Sequence, residues 1–280
     1  MKKIFQIVGI TTLMIGSFLF TYKVQTASKM TDELLNEIKS KKDGYKENPI
    51  EPYIKDKTIV PGINGREVDV MKSYKKMSEV GYFDDSLFEY KAIYVEKKLD
   101  KNKDKYIIGL NGRNMNVSLI FKIDDSDDIT NLVKKLDNNN MKVSFFITSK
   151  YLEKHHNQII KLVQNGYTIG NLSNNENYED SDFVWMKTII TNIGNQKYNY
   201  CFTNKENNKI MKMCKLQDSY TIMSDVIKSN PLLNIKKTLS PGKIIVLDYN
   251  SELSREIDTV LDYIKSKGYS LISLEEGLKE

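Results

Sequence analysis

Apolar and polar positions divide the chain into four stretches. Lys2-Lys3 precede a nearly unbroken apolar run from Ile4 to Tyr22, close to the roughly 20 residues that span a hydrocarbon core. The run has no polar face, which disfavours a buried helix of a soluble domain. Gln25-Thr26-Ala27 is a poor match to the small-residue site at which signal peptides are cut. Residues 1–27 are therefore expected to be a signal-anchor that stays attached. The body would then lie outside the cytoplasm, the usual outcome for a lone N-terminal span; cleavage would release that same body.

Residues 28–58 are polar and rich in Lys and Glu, with Pro49 and Pro52 near their end. They read as a stalk, a short helix around Met30–Ser40 followed by an extended tether. Residues 59–112 read as a small α+β module. Turn signals at Pro61-Gly62 and Asn64-Gly65 lead to a helix near Val68–Ser78 and a strand at Phe88–Val95. Asp alternates with Lys over Leu99–Lys105, which marks a solvated loop.

From 113 to 280 the pattern becomes regular. Val117–Ile123 is an apolar strand, and Ile129, Leu132, Val133 and Leu136 then recur at helical spacing. Lys142–Thr148 is a second strand, and a helix carrying Ile159, Ile160 and Val163 stops at Asn165-Gly166. Strands follow at Tyr167–Gly170, Tyr198–Phe202, Tyr220–Met223 and Lys243–Leu247. Leu253, Ile257, Val260, Leu261 and Ile264 line one face of a late helix that Gly268 ends, and Tyr269–Leu274 is the last strand. Alternation of this kind predicts parallel β/α units with right-handed crossovers, either a barrel or a doubly wound sheet.

Composition narrows the class. Hydrophobic residues make up 40% and charged residues 28% of the 280, enough for a sizeable core and against whole-chain disorder. The net charge is +5, yet Lys2, Lys3 and Lys23 flank the apolar run and Arg66, Arg113 and Arg255 are the arginines. A near-neutral, arginine-poor body argues against nucleic acid. Cys201 and Cys214 exclude a cysteine-rich zinc module. They are compatible with one disulfide or with two buried thiols.

Four segments, in order, choose between the two architectures. Val117-Ser-Leu-Ile-Phe, Lys142-Val-Ser-Phe-Phe-Ile, Gln164-Asn-Gly-Tyr-Thr-Ile-Gly-Asn171 and Pro241-Gly-Lys-Ile-Ile-Val-Leu247 together resemble the polysaccharide deacetylase family (NodB-homology domain). The resemblance covers residues 113–280. It implies an α/β fold, a distorted and incomplete (β/α) barrel with its site at the C-terminal ends of the strands.

In that family one Asp acts as general base, and a second Asp with two His holds a divalent metal that polarises the acetamide and activates water. Alignment on Phe121 and on Phe145-Phe146 puts Lys122 at the base position and Ile123 at the metal-binding Asp. Leu172 and Glu176 fall at the two His, Cys201 beside the base, and Asp248 at a late His. None of the three ligand positions keeps its residue type, and Ile and Leu cannot coordinate a cation, so this departure from the family's pattern predicts no metal and no cofactor here. Instead, the Lys122 ammonium is expected within salt-bridge distance of Asp248 or Glu176, since a buried lysine without a carboxylate partner would be expelled or neutralised.

Asp124-Asp125 offer weaker alternative acids. With Asp127 and Asp128 they read first as an acidic cap of the following helix, ahead of a general base or a calcium loop. His155-His156 are adjacent, do not converge on one metal, and are expected to be exposed. Trp185 is expected to anchor its helix in the core, with stacking on a sugar as the alternative.

These observations predict a membrane-anchored cell-envelope protein whose deacetylase-like domain is catalytically degenerate and holds a cell-wall glycan or an envelope protein. An active N-deacetylase with a remodelled carboxylate site is the alternative, and a structural adaptor a second one.

Overall fold

The computed structural model describes residues 10–18, 21, 32–173, 178, 180–193, 196 and 199–280. It divides into two compact units, residues 1–49 with 64–94 and residues 50–63 with 95–280. In chain order the strands are β1 (Tyr53–Lys55), β2 (Thr58–Val60), β3 (Gly65–Val68), β4 (Tyr90–Ile93), β5 (Tyr106–Ile107) and β6 (Asn116–Ile123). They continue as β7 (Ser144–Ile147), β8 (Thr168–Asn171), β9 (Tyr200–Thr203), β10 (Tyr220–Met223), β11 (Val226–Ile227), β12 (Ile244–Asp248) and β13 (Ser270–Leu271).

The smaller unit packs two helices, Glu33–Lys41 and Val70–Val80, with the antiparallel pair β3–β4. Asp32 and Asp69 cap the helices, accepting from the amides of Leu35 and Lys72. Ile38, Val68, Met77 and Phe88 form its core.

In the larger unit one sheet runs β1-β2-β5-β10-β9-β8-β7-β6-β12-β11, with β13 added on β6. The β1–β2 pair is antiparallel; every other pairing in this sheet is parallel. Because β12 returns beside β6, the first regular strand of the unit, the sheet curls. It stays open, since β10 pairs with β5 and β9 while β11 pairs with β12.

Both faces of the curl are buried, which explains the nearly continuous apolar runs. Successive side chains alternate. Leu119, Phe121 and Ile123 of β6, Phe145 and Ile147 of β7 and Leu247 of β12 pack outward against helices. Ile120, Phe146 and Val246 point the other way, into an inner core completed by Tyr200, Phe202, Tyr220 and Ile222. The helical layer contributes Leu132 and Leu136, Ile159 and Leu162, and Ile257, Val260 and Ile264.

Two expected boundaries are corrected. Residues 28–58 are not a stalk: the Glu33–Lys41 helix buries Leu35 and Ile38, and Tyr53–Val60 forms the β1–β2 hairpin of the large sheet. Nor is 59–112 one module, because Ile59, Leu99, Ile107 and Leu110 pack in the inner core of the larger unit. Residues 10–18 are helical with Leu13 and Phe18 exposed. Among the described residues no helix is long and apolar enough to cross a membrane; much of the expected anchor lies outside them.

Candidate functional site

The C-terminal ends of the parallel strands form the mouth of the curl. Parallel pairing sets Asp248 of β12 directly opposite Lys122 of β6, and Lys122 opposite Phe146 of β7. Alternation turns both polar side chains to the inner side. Lys122 Nζ lies 3.6 Å from Asp248 Oδ1, with the lysine side chain 12% exposed and the aspartate 31%. The same Nζ stands 5.6 Å from the ring centroid of Phe202 on β9. A mostly buried lysine side chain thus ends between a carboxylate and an aromatic face.

An acidic loop follows β6. Asp127 accepts from the amide of Asp124 at 2.7 Å and closes the turn. Asp128 accepts from the amide of Thr130, the first residue of the helix Thr130–Asn138, at 2.9 Å, while the N-cap position itself is Ile129. Asp125 instead accepts from the hydroxyl of Thr148, the residue just past β7. The expected four-acid cap does not form: only Asp128 reaches the helix, one residue ahead of its N-cap, while Asp125 and Asp127 tie the loop to Thr148 and to itself. Burial pushes the Asp127 carboxyl above the usual range, and the nearby charges of Asp124 and Asp248 add to the rise.

The other positions implied by resemblance do not assemble around Lys122. Ile123 neighbours Lys122 on an extended strand, so its side chain points to the opposite face and is sealed in the helix-facing core. Leu172 is buried in the inner core. Cys201 points away between Tyr200 and Phe202 and is bonded to Cys214 in a separate cluster with Phe183. Glu176 lies outside the described residues. Among the described residues no three His, Cys, Asp or Glu side chains gather as a metal-binding group. An ammonium at the base position, with Ile123 and Leu172 at two of the ligand positions, does not fit the family's divalent metal.

Three features escaped the sequence reading. The Tyr178 hydroxyl accepts from the Phe202 amide at 2.9 Å and lies 3.0 Å from the Asn171 carbonyl, clamping β8 to β9. His155 is not simply exposed, because its ring stacks on buried Tyr151 with centroids 4.3 Å apart. Trp185 does not anchor its helix in the core but is 41% exposed. Beside it, Ser149, Lys150, Glu153 and Asp182 line a cavity of about 340 Å³.

Residues 111–212 match the family model described as polysaccharide deacetylase. YlxY, an uncharacterized protein of Bacillus subtilis (strain 168), is 27% identical over 153 residues, covering 54% of this chain and 47% of its own. This chain thus matches about half the length of that curated relative. The fold is similar to BA3943 of Bacillus anthracis, described as a CE4 family pseudoenzyme (TM-score 0.65, 20% identity, 89% of this chain and 96% of that one). It is also similar to Bacillus subtilis PdaA, a family 4 carbohydrate esterase (TM-score 0.54, 16% identity, 62% of this chain and 84% of that one).

Proposed function

We propose that the chain, whose residues 111–212 match the polysaccharide deacetylase family model, is a catalytically degenerate, glycan-binding protein of the cell envelope. The Lys122–Asp248 contact carries this reading. An internal cation occupies the mouth where members of the family place a metal, so a glycan can be held there without the Lewis acid that its hydrolysis needs. The description of BA3943 as a pseudoenzyme, and of one of its mutants as having restored enzymatic activity, is in keeping with a scaffold that outlives its chemistry.

In this reading residues 1–27 anchor the protein and the body is extracytoplasmic. The Cys201–Cys214 disulfide supports such a location, because disulfides persist outside the reducing cytosol. Co-sedimentation of the full chain with purified peptidoglycan, run beside an acetate-release assay, tests the function. Binding without acetate is expected; acetate release would overturn it.

One observation favours a second reading, an active hydrolase with a remodelled site. Burial pushes the Asp127 carboxyl up and the charge of Asp248 acts on it, and general acid–base chemistry needs two well-placed carboxyls. Loss of acetate release in both Asp127→Asn and Asp248→Asn would mark that case.

A further inference from the structure

The cavity beside Trp185 belongs to no step considered so far. Trp185 projects from the helix Asp180–Ile193 and faces the short helix Ser149–Lys154. Ser149 Oγ and Asp182 Oδ2 stand 3.4 Å apart across the gap. Lys150 and Glu153 complete the rim of a space of about 340 Å³. Ser149 directly follows Thr148, whose hydroxyl meets Asp125, and its amide donates to the Ser173 carbonyl beyond β8. The cavity therefore adjoins the mouth of the curl.

We infer that this cavity is a subsite for one pyranose ring of a glycan that reaches past the Lys122–Asp248 mouth, with Trp185 as its stacking platform. The inference rests on the glycan-binding reading above and gives it a place. An indole left 41% exposed offers a flat apolar face that the helix does not use, and the C–H face of a sugar ring matches it. Around that face stand two carboxylates, an ammonium and a hydroxyl. Sugar hydroxyls both donate and accept, so they satisfy Asp182 and Glu153 as well as Lys150 and Ser149. A strongly anionic or cationic ligand would meet like charge on one side. A mainly apolar peptide would leave these groups unpaired. Few polar groups around an aromatic wall is the usual make-up of a small-ligand site.

Trp185 is the chain's single tryptophan, so its emission reports on this site alone. The full chain is titrated with chitotetraose and with peptidoglycan glycan strands freed of their stem peptides, by fluorescence and by calorimetry in parallel. A saturable change in emission is expected at the concentration where calorimetry records binding. Trp185→Ala should weaken calorimetric binding at least tenfold, and Trp185→Tyr should recover most of it. Calorimetric binding with unchanged emission, and equal affinity in Trp185→Ala, would overturn the subsite while leaving glycan binding intact. Absence of binding by either probe would overturn both.

Discussion

Lys122 and Asp248 face each other across the β6–β12 pairing, with Nζ 3.6 Å from Oδ1 and the lysine side chain only 12% exposed. Such a contact lies between two regimes. Exposed ion pairs contribute little, whereas removal of one member of a buried pair strands the other. Lys122→Ala is expected to lower unfolding free energy by about 1–3 kcal/mol. A double-mutant cycle with Asp248→Asn, read by urea denaturation, should return a clear coupling energy between the two positions.

The Asp127 carboxyl titrates above its ordinary value in the fold because burial disfavours its charged form. A group whose folded pKa is raised favours the fold fully below the unfolded pKa, and that contribution is lost as pH rises through the folded value. Asp127→Asn keeps an oxygen for the Asp124 amide and removes the charge. The variant should be more stable than the parent at neutral pH, with the difference shrinking as pH falls into the acid range. Thermal unfolding at a series of pH values checks this.

The disulfide joins β9 to the helix Asn208–Leu216 over a separation of 13 residues. A loop of that size corresponds to about 3 kcal/mol of lost chain entropy in the unfolded state. Cys201→Ser/Cys214→Ser should therefore unfold at a distinctly lower denaturant concentration. Thiol labelling of the denatured, unreduced parent should find no free cysteine.

Gly170 lies under the Phe146 ring, and a Cβ there would collide with three of its ring carbons. Phe146 is fully buried in the inner core and has nowhere to retreat. Gly170→Ala should cost about 1–3 kcal/mol by overpacking, measurable as a drop in Tm, while Gly166→Ala would be penalised through its φ of +84° rather than through contact.

Much of the large sheet was legible in the sequence. Val117–Ile123 and Lys243–Leu247 announce β6 and β12 because parallel strands covered on both faces are apolar throughout. The 3.6-residue spacing of Leu253 through Ile264 likewise marks the helix Ser251–Ser266. By contrast, β5 is two residues long and pairs with β2 and β10, which are distant in sequence, so no local pattern shows that Ile59 and Ile107 share a core with Phe146. The Glu33–Lys41 helix buries just Leu35 and Ile38, too little apolar signal to separate it from a stalk.

At the site, alignment brought Lys122 and Asp248 together, and the parallel register shows why. Ile123 and Cys201, assigned by the same alignment, pack away from the inner core in which Phe146 and Phe202 sit, since neighbours on an extended strand point to opposite faces. Trp185 lies outside the core for a related reason. Its helix carries Phe183, Val184, Trp185 and Met186 in succession, and a run of four apolar residues does not say which of them face inward; Phe183 and Met186 do.

Under the proposed function, the Lys122 amino group stands beside Asp248 at the mouth of this domain and the chain hydrolyses no acetamide. Acetate release from peptidoglycan glycan strands by the full chain, assayed after loading with zinc, cobalt or nickel and again after chelation, tests it most directly. The account predicts no release above background in either state. Release that requires one bound metal per chain and disappears on chelation would contradict it.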